Sequence, residues 1–248
     1  MKAFSFLLLI LLSPAVVEAQ HANQDKKKYQ ERFDAYGAVW KGYDFSVFNE
    51  IVKQYNASRD LDEEMDMFSD FIGFSYQDVY FWKKKVWVGY HLDFISQERT
   101  ALFNVYGKLY RQNVKLEDYS VDIQGGLYFP LGKKARLLLG AGLGGGYFIS
   151  RDRSYGVADG RPEWNFNKQI MLHAGPVLSL SLGKPWGFVL EPYYSYGFFP
   201  LKTQDLLQAL VPNAGDSPRF SLNHYGLRVF INFYEDESSW MKKVGKRL

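Results

Sequence analysis

Hydrophobic residues recur at every second position through most of this chain. Between Gln169 and Leu182, the residues Ile170, Leu172, Ala174, Pro176, Leu178, Leu180 and Leu182 alternate with Gln169, Met171, His173, Gly175, Val177, Ser179 and Ser181. A period of two over these 14 residues gives an extended strand one apolar face and one small or polar face, at more than the usual strand length of a soluble domain. The same rule covers Val86 to Phe94, Tyr119 to Phe129, Leu137 to Tyr147, Phe188 to Phe198 and Tyr225 to Phe233. In the Leu137 run the minor face is Gly140, Gly142, Gly144 and Gly146, which suits a crowded interior. Ile72 to Trp82 also alternates but carries Asp78 on its apolar side, which predicts a bulge. Ala35 to Tyr43 alternates poorly and is assigned as a strand by count. Pro176 and Pro192 lack the N–H a ladder needs and are read as further bulges.

The connections alternate in length. Short links at Lys83-Lys84-Lys85, Pro130 to Ala135 and Gly183 to Trp186 separate long ones near residues 44–69, 97–117, 151–167 and 200–219. This predicts an all-β fold, an eight-stranded antiparallel transmembrane β-barrel of the up-and-down kind with short periplasmic turns and long extracellular loops. Trp82, Trp87, Phe129 and Trp186 flank the short turns, and Tyr147, Phe148, Phe198, Phe199 and Phe220 lie near the long loops, so two interfacial aromatic girdles are expected. In the first loop Phe48, Ile51, Val52 and Tyr55 fall at i, i+3, i+4 and i+7 after Asp44 or Ser46. That spacing predicts a short amphipathic helix, capped by one of the two, that covers the barrel or meets a partner.

The first residues fix the expected compartment. Lys2, the apolar stretch Ala3 to Leu12, and Val17-Glu18-Ala19 ahead of Gln20 follow the order of a secretory signal peptide cut after Ala19. Without residues 1–19, one Lys and one Glu go, leaving 29 basic and 26 acidic groups of the original 30 and 27, a balance that argues for no nucleic-acid partner. The chain has no cysteine, so disulfides, thiolate metal sites and a lipid-bearing Cys are excluded. Aromatics make up 18% of it, including 18 Tyr, a residue whose apolar ring and wet tip suit a bilayer interface. The expected organisation is a signal peptide (1–19), an N-terminal periplasmic segment (20–32), the barrel (33–234) and a basic periplasmic tail (235–248), located in the outer membrane of a Gram-negative-type bacterium.

The final run, His224-Tyr225-Gly226-Leu227-Arg228-Val229-Phe230-Ile231-Asn232-Phe233, resembles the C-terminal assembly signal of the small eight-stranded outer-membrane β-barrel family. That family includes the OmpA membrane domain, OmpX-like barrels and other outer membrane protein β-barrel domains. The glycine strand from Gly140 to Gly146 adds to the resemblance, which covers roughly residues 33–234. It implies the architecture, with Gly226, Val229, Ile231 and Phe233 read by the barrel-assembly machinery, and is almost silent on function. Here the chain departs by running on through Trp240, Lys242, Lys243, Lys246 and Arg247 to Leu248, too few residues for a peptidoglycan-binding domain.

Interior parity gathers His91, Asp93, Asp122, Gln124, His173, Glu191, Arg228 and Asn232. Ionisable groups inside a narrow barrel must pair, so a packed polar network is expected, with Glu191 and Arg228 paired across the last two strands. An ion pathway or a His/carboxylate metal site is the sharper alternative. Ser221 and His224 invite comparison with lipid-hydrolysing barrels, but at a spacing of three they point to opposite faces of a strand. The run Arg59 to Asp66 holds five acids and reads as a solvated surface, with Ca²⁺ or cation-bridged lipopolysaccharide as the alternative. Lys83 to Lys85, Lys133, Lys134, Arg136, Lys184 and the tail make the turn end basic, a match for anionic headgroups or for a periplasmic cell-envelope or secretion-machine protein. The expected role is structural or interaction-based, without catalysis or cofactor, through loops or tail; a small channel is the second reading and a lipid-modifying enzyme the third.

Overall fold

Alternating apolar and small side chains can extend side by side only if every backbone N–H and C=O finds a neighbouring strand, and closing the sheet on itself removes its unpaired edges. The computed structural model of the chain describes residues 29–82, 85–132, 134–158, 163–183, 186–212, 214–216 and 219–235. Its strands are β1 (Tyr29–Tyr43), β2 (Phe71–Trp82), β3 (Val86–Val105), β4 (Lys108–Pro130), β5 (Ala135–Gly156), β6 (Asn165–Leu182), β7 (Trp186–Gly197) and β8 (His224–Glu235). Helix α1 (Ser46–Ala57) follows β1 and helix α2 (Gln204–Leu210) follows β7. Each strand pairs antiparallel with the next and β8 closes on β1. The chain is an eight-stranded up-and-down barrel. The expected signal peptide and the tail beyond Glu235 lie outside the described residues.

Register around the ring sets the barrel's shape. A path leaving β6 at Leu182 crosses Phe188, Ile231, Tyr36, Tyr76, Leu92, Val121 and Gly145 and re-enters β6 at Leu172. The stagger from 182 to 172 is ten residues, which tilts the strands by roughly 35–45° and leaves an interior that side chains can fill. Glycines suit this interior: a Cβ on Gly144 would lie 1.8 Å from Asp122 Oδ1 and 2.1 Å from His173 Nε2. On the outside, Ile72, Phe74, Leu143, Ile170 and Phe188 are each more than half exposed.

Several expectations are corrected. No bulge forms at Asp78, Pro176 or Pro192. The β1–β2 and β2–β3 ladders run through Asp78 in unbroken register, because Arg32 on the neighbouring strand satisfies its outward carboxylate at 2.9 Å. The β6–β7 pairs His173↔Gly197, Val177↔Tyr193 and Leu182↔Phe188 share one register on both sides of the prolines; a missing N–H drops a bond without demanding an extra residue.

Residues 97–117 are not a loop. β3 and β4 pair continuously up to Val105↔Lys108, joined by Tyr106 and Gly107 at φ 51° and 80°, the double positive-φ turn whose twist matches two strands. β5 and β6 likewise occupy most of 151–167, and the projecting strands form a sheet beyond the barrel wall.

Of the supposed girdle residues, Trp87, Phe148 and Phe220 point inward and are buried, whereas Phe129, Trp186, Phe198 and Phe199 are exposed. Finally, β1 starts at Tyr29, ahead of the boundary at residue 33. Arg136 is no part of a basic turn-end surface: it pairs with Glu31 and lies 4.4 Å from the Phe81 ring centroid inside the barrel.

Two apolar plugs bracket the interior. At the loop end, α1 presents Phe48, Ile51, Val52 and Tyr55 to Phe71, Phe148 and Phe220, joined by Leu206, Leu207 and Leu210 of α2. No side chain caps α1, although Asp44 accepts the Ser46 N–H at 3.1 Å. At the turn end Phe33, Val79, Phe81, Trp87, Leu138, Val189 and Phe230 pack together.

Candidate functional site

Between the plugs lies a buried polar network in which Arg228 is the hub. β8 is in direct register with β7 at Glu191↔Arg228, so the two side chains meet on one face, and Arg228 Nη1 donates to Glu191 Oε1 at 2.8 Å. Arg228 Nη2 reaches Asp93 at 2.8 Å and Asp122 at 2.6 Å, and the guanidinium sits 4.1 Å from the Tyr193 ring centroid. His173 Nε2 donates to Asp122 Oδ1 at 2.6 Å, and His91 Nδ1 lies 3.4 Å from Glu191 Oε1 with its ring stacked on Phe230. Six of the eight interior residues read from the sequence thus meet in one assembly. The other two stand apart from the ion pairs: Asn232 donates to Ser181 at 3.2 Å, and Gln124 lies beside Gly142.

The sequence reading missed the other half of this network. Lys41 donates to Asp118 and Ser120, each at 2.9 Å, and its ammonium lies 3.1 Å from Asp93, so the buried charge is surrounded by acceptors. Tyr43 donates to Asp118 at 2.7 Å, and Ser75 donates to Asp93 at 2.5 Å. Inward parity could have found them: Lys41 and Tyr43 continue from Val39, and Asp118 stands two positions before Ser120. Asp93, Asp118, Asp122 and Glu191 therefore share two permanent cations and two imidazoles in a space closed at both ends. Such an arrangement staples seven strands together: β1, β2, β3, β4, β6, β7 and β8 each contribute a polar side chain.

Other sequence candidates separate. Ser221 lies exposed ahead of β8 while His224 is buried, its Nδ1 donating to Leu222 O at 2.9 Å, so the two make no catalytic pair. Among the described residues no group of three His, Asp or Glu is disposed to hold a metal ion. The acids Asp60, Asp62, Glu63, Glu64 and Asp66 are all exposed. Gly226 packs where a Cβ would meet Trp40 O and the Tyr193 ring, each at 2.5 Å, and Val229, Ile231 and Phe233 face outward, each exposed.

The loop end is built rather than loose. Asn49 and Asn56, two turns apart on α1, each mimic a strand: Asn49 pairs with both backbone groups of Phe68 at 3.0 and 2.6 Å, and Asn56 with those of Met65 at 3.0 and 3.1 Å. Leu102 of β3 exchanges backbone bonds with Glu63 at 3.0 and 3.1 Å. The segment after α1 is thus tied to the projecting sheet, and burial pushes the Tyr55 phenol up from its ordinary value, with Arg59 opposing.

No protein-family model and no curated protein matches the chain. Among solved structures it is similar to Ail, the attachment invasion locus protein of Yersinia pestis, at 12% identity over 84% of this chain and 99% of that one, with a TM-score of 0.42. A major outer membrane protein from Thermus thermophilus gives 10% identity, 82% and 99% coverage and a TM-score of 0.45. Neisserial surface protein A gives 10% identity, 82% and 96% coverage and a TM-score of 0.38.

Proposed function

We propose that the chain is a non-enzymatic, non-conducting outer-membrane barrel that works by interaction through its loop end. The observation that carries this is the sealed interior: two apolar plugs enclose a network whose charged groups are paired to one another. A conducting pore needs the opposite, a wet lumen whose charges face water. The exposed apolar outer wall supports membrane insertion, since a soluble barrel would leave that surface in water. Length beyond the wall goes into the β3–β6 sheet and into α1 and α2, which supports contact outside the membrane as the task.

Planar-bilayer recording of the refolded chain tests the first half, with silence expected; steady single-channel currents would favour the channel reading instead. Photo-crosslinkers at Asn104 and Lys108, on the hairpin tip, test the second in intact cells. Adducts with a macromolecule outside the barrel are expected there, and their absence at both positions, with a folded barrel, overturns the loop-end role.

A further inference from the structure

The registers of β3–β4, β4–β5 and β5–β6 never break from the barrel wall to the projecting sheet. Side-chain parity therefore carries over from the exposed apolar belt onto the outer face of that sheet. The last aromatic row of the wall is Phe94, Tyr119 and Tyr147 with Ile170. The next outward rows bring Lys168, then Lys115 and Arg151 side by side, then Arg153 and Arg111. On the same face the acids are Glu117 and Glu98, so five cations stand against two carboxylates directly above the belt.

Two details set this patch apart from a solvated fringe. Glu117 is buried and bridges Lys115 at 2.8 Å and Arg151 at 2.7 Å, holding two cations, 27% and 32% exposed, at a fixed spacing. Lys168 is parked on the Tyr147 ring at 3.5 Å and Arg153 over Trp164 at 3.9 Å, so aromatic faces orient their charges.

We infer that the outer face of β4–β6, centred on Lys115, Arg151 and Lys168, binds the phosphorylated headgroup of a lipid in the outer leaflet. The position favours a lipid over a soluble polyanion: a lipid whose chains pack on the Tyr119–Tyr147 row would hold its phosphates one to two rows higher, about 7–14 Å along the strand. This rests on the outer-membrane reading and adds a ligand class and a site to it.

The test uses the full chain in phosphatidylcholine vesicles doped with bisphosphorylated lipid A or with the same lipid enzymatically dephosphorylated. Binding is read by lipid co-purification and by the temperature at which the folded band is lost in gels. The wild type should retain at least tenfold more bisphosphorylated than dephosphorylated lipid, with the preference weakening as salt rises. K115Q/R151Q/K168Q should lose that preference, while K53Q/K85Q/K202Q, an equal charge change at other exposed lysines, should keep it. If the wild type inserts but retains both lipids equally, or if both triple variants behave alike, the patch is wrong while the membrane reading stands. Equal displacement of the lipid by a soluble sulfated polysaccharide would overturn the choice of lipid. A chain that never inserts would overturn the membrane reading, and the patch with it.

Discussion

Replacing Arg228 with methionine keeps the volume of the hub and removes its charge. The wild-type guanidinium donates to Asp93 at 3.3 and 2.8 Å, to Glu191 at 2.8 Å and to Asp122 at 2.6 Å, and its side chain is 1% exposed. Removing one partner of a buried pair costs about 3–5 kcal/mol, because the remaining charge stays desolvated. Three carboxylates depend on this one residue, with Lys41, His91 and His173 left to share them, so the upper end, about 5 kcal/mol, is expected. At roughly 2–4 °C per kcal/mol for a chain of this size, the folded band in heat-modifiable gel migration should disappear about 10–20 °C earlier than in wild type. E191Q alone leaves Arg228 two carboxylates and should cost only about 1–3 kcal/mol. In R228M/E191Q one stranded charge is gone, so the double variant should be less damaged than the sum by about 0.5–3 kcal/mol. Strict additivity, or a melting temperature for R228M within about 2 °C of wild type, would show that the network contributes no mutual stabilisation.

Leu178→Arg places a cation on the exposed outer face of β6, near the middle of the wall, and should cost about 2–4 kcal/mol on folding into lipid; equal stability in vesicles would contradict the assigned lipid face. Gly144→Ala drives a Cβ into the Asp122–His173 pair and should cost about 1–3 kcal/mol, whereas Gly145→Ala meets chiefly the movable end of Leu172 at 3.0 Å and should melt closer to wild type. Gly107→Val puts a β-branched residue at φ 80°; hydrogen exchange should quicken over residues 100–111 by about tenfold, about 1–2 kcal/mol of local opening, with barrel melting unchanged. Truncation after Glu235 should leave insertion and gel migration intact while abolishing any crosslink to a periplasmic protein; failure to insert would place part of the assembly signal beyond Phe233.

Parity along the chain determined most of this architecture. Strand identity, the outward or inward facing of Leu172, His173, Glu191 and Arg228, and the glycine-lined course of β5 all follow from a local period of two, because a strand turns each successive side chain to the opposite face whatever its neighbours are. Spacing of Phe48, Ile51, Val52 and Tyr55 likewise determined α1 and its buried face. Tertiary structure decided what depends on partners distant in sequence. Trp87 and Phe148 near strand ends look like girdle residues, although their parity with His91 and Gly146 turns them inward; what ring closure adds is the interior plugs that they and Phe220 fill. Asp78 looks like a defect until Arg32 on the adjacent strand satisfies it. The 97–117 segment looks like a loop because its polar outward residues read as solvent-facing; above the apolar belt, however, a strand needs no apolar outer face, and Tyr106-Gly107 closes the hairpin. Lys41 meets Asp118 and Asp93 across the lumen because the ten-residue stagger brings β1, β3 and β4 to one level, and a stagger is a property of the closed sheet, not of any strand within it.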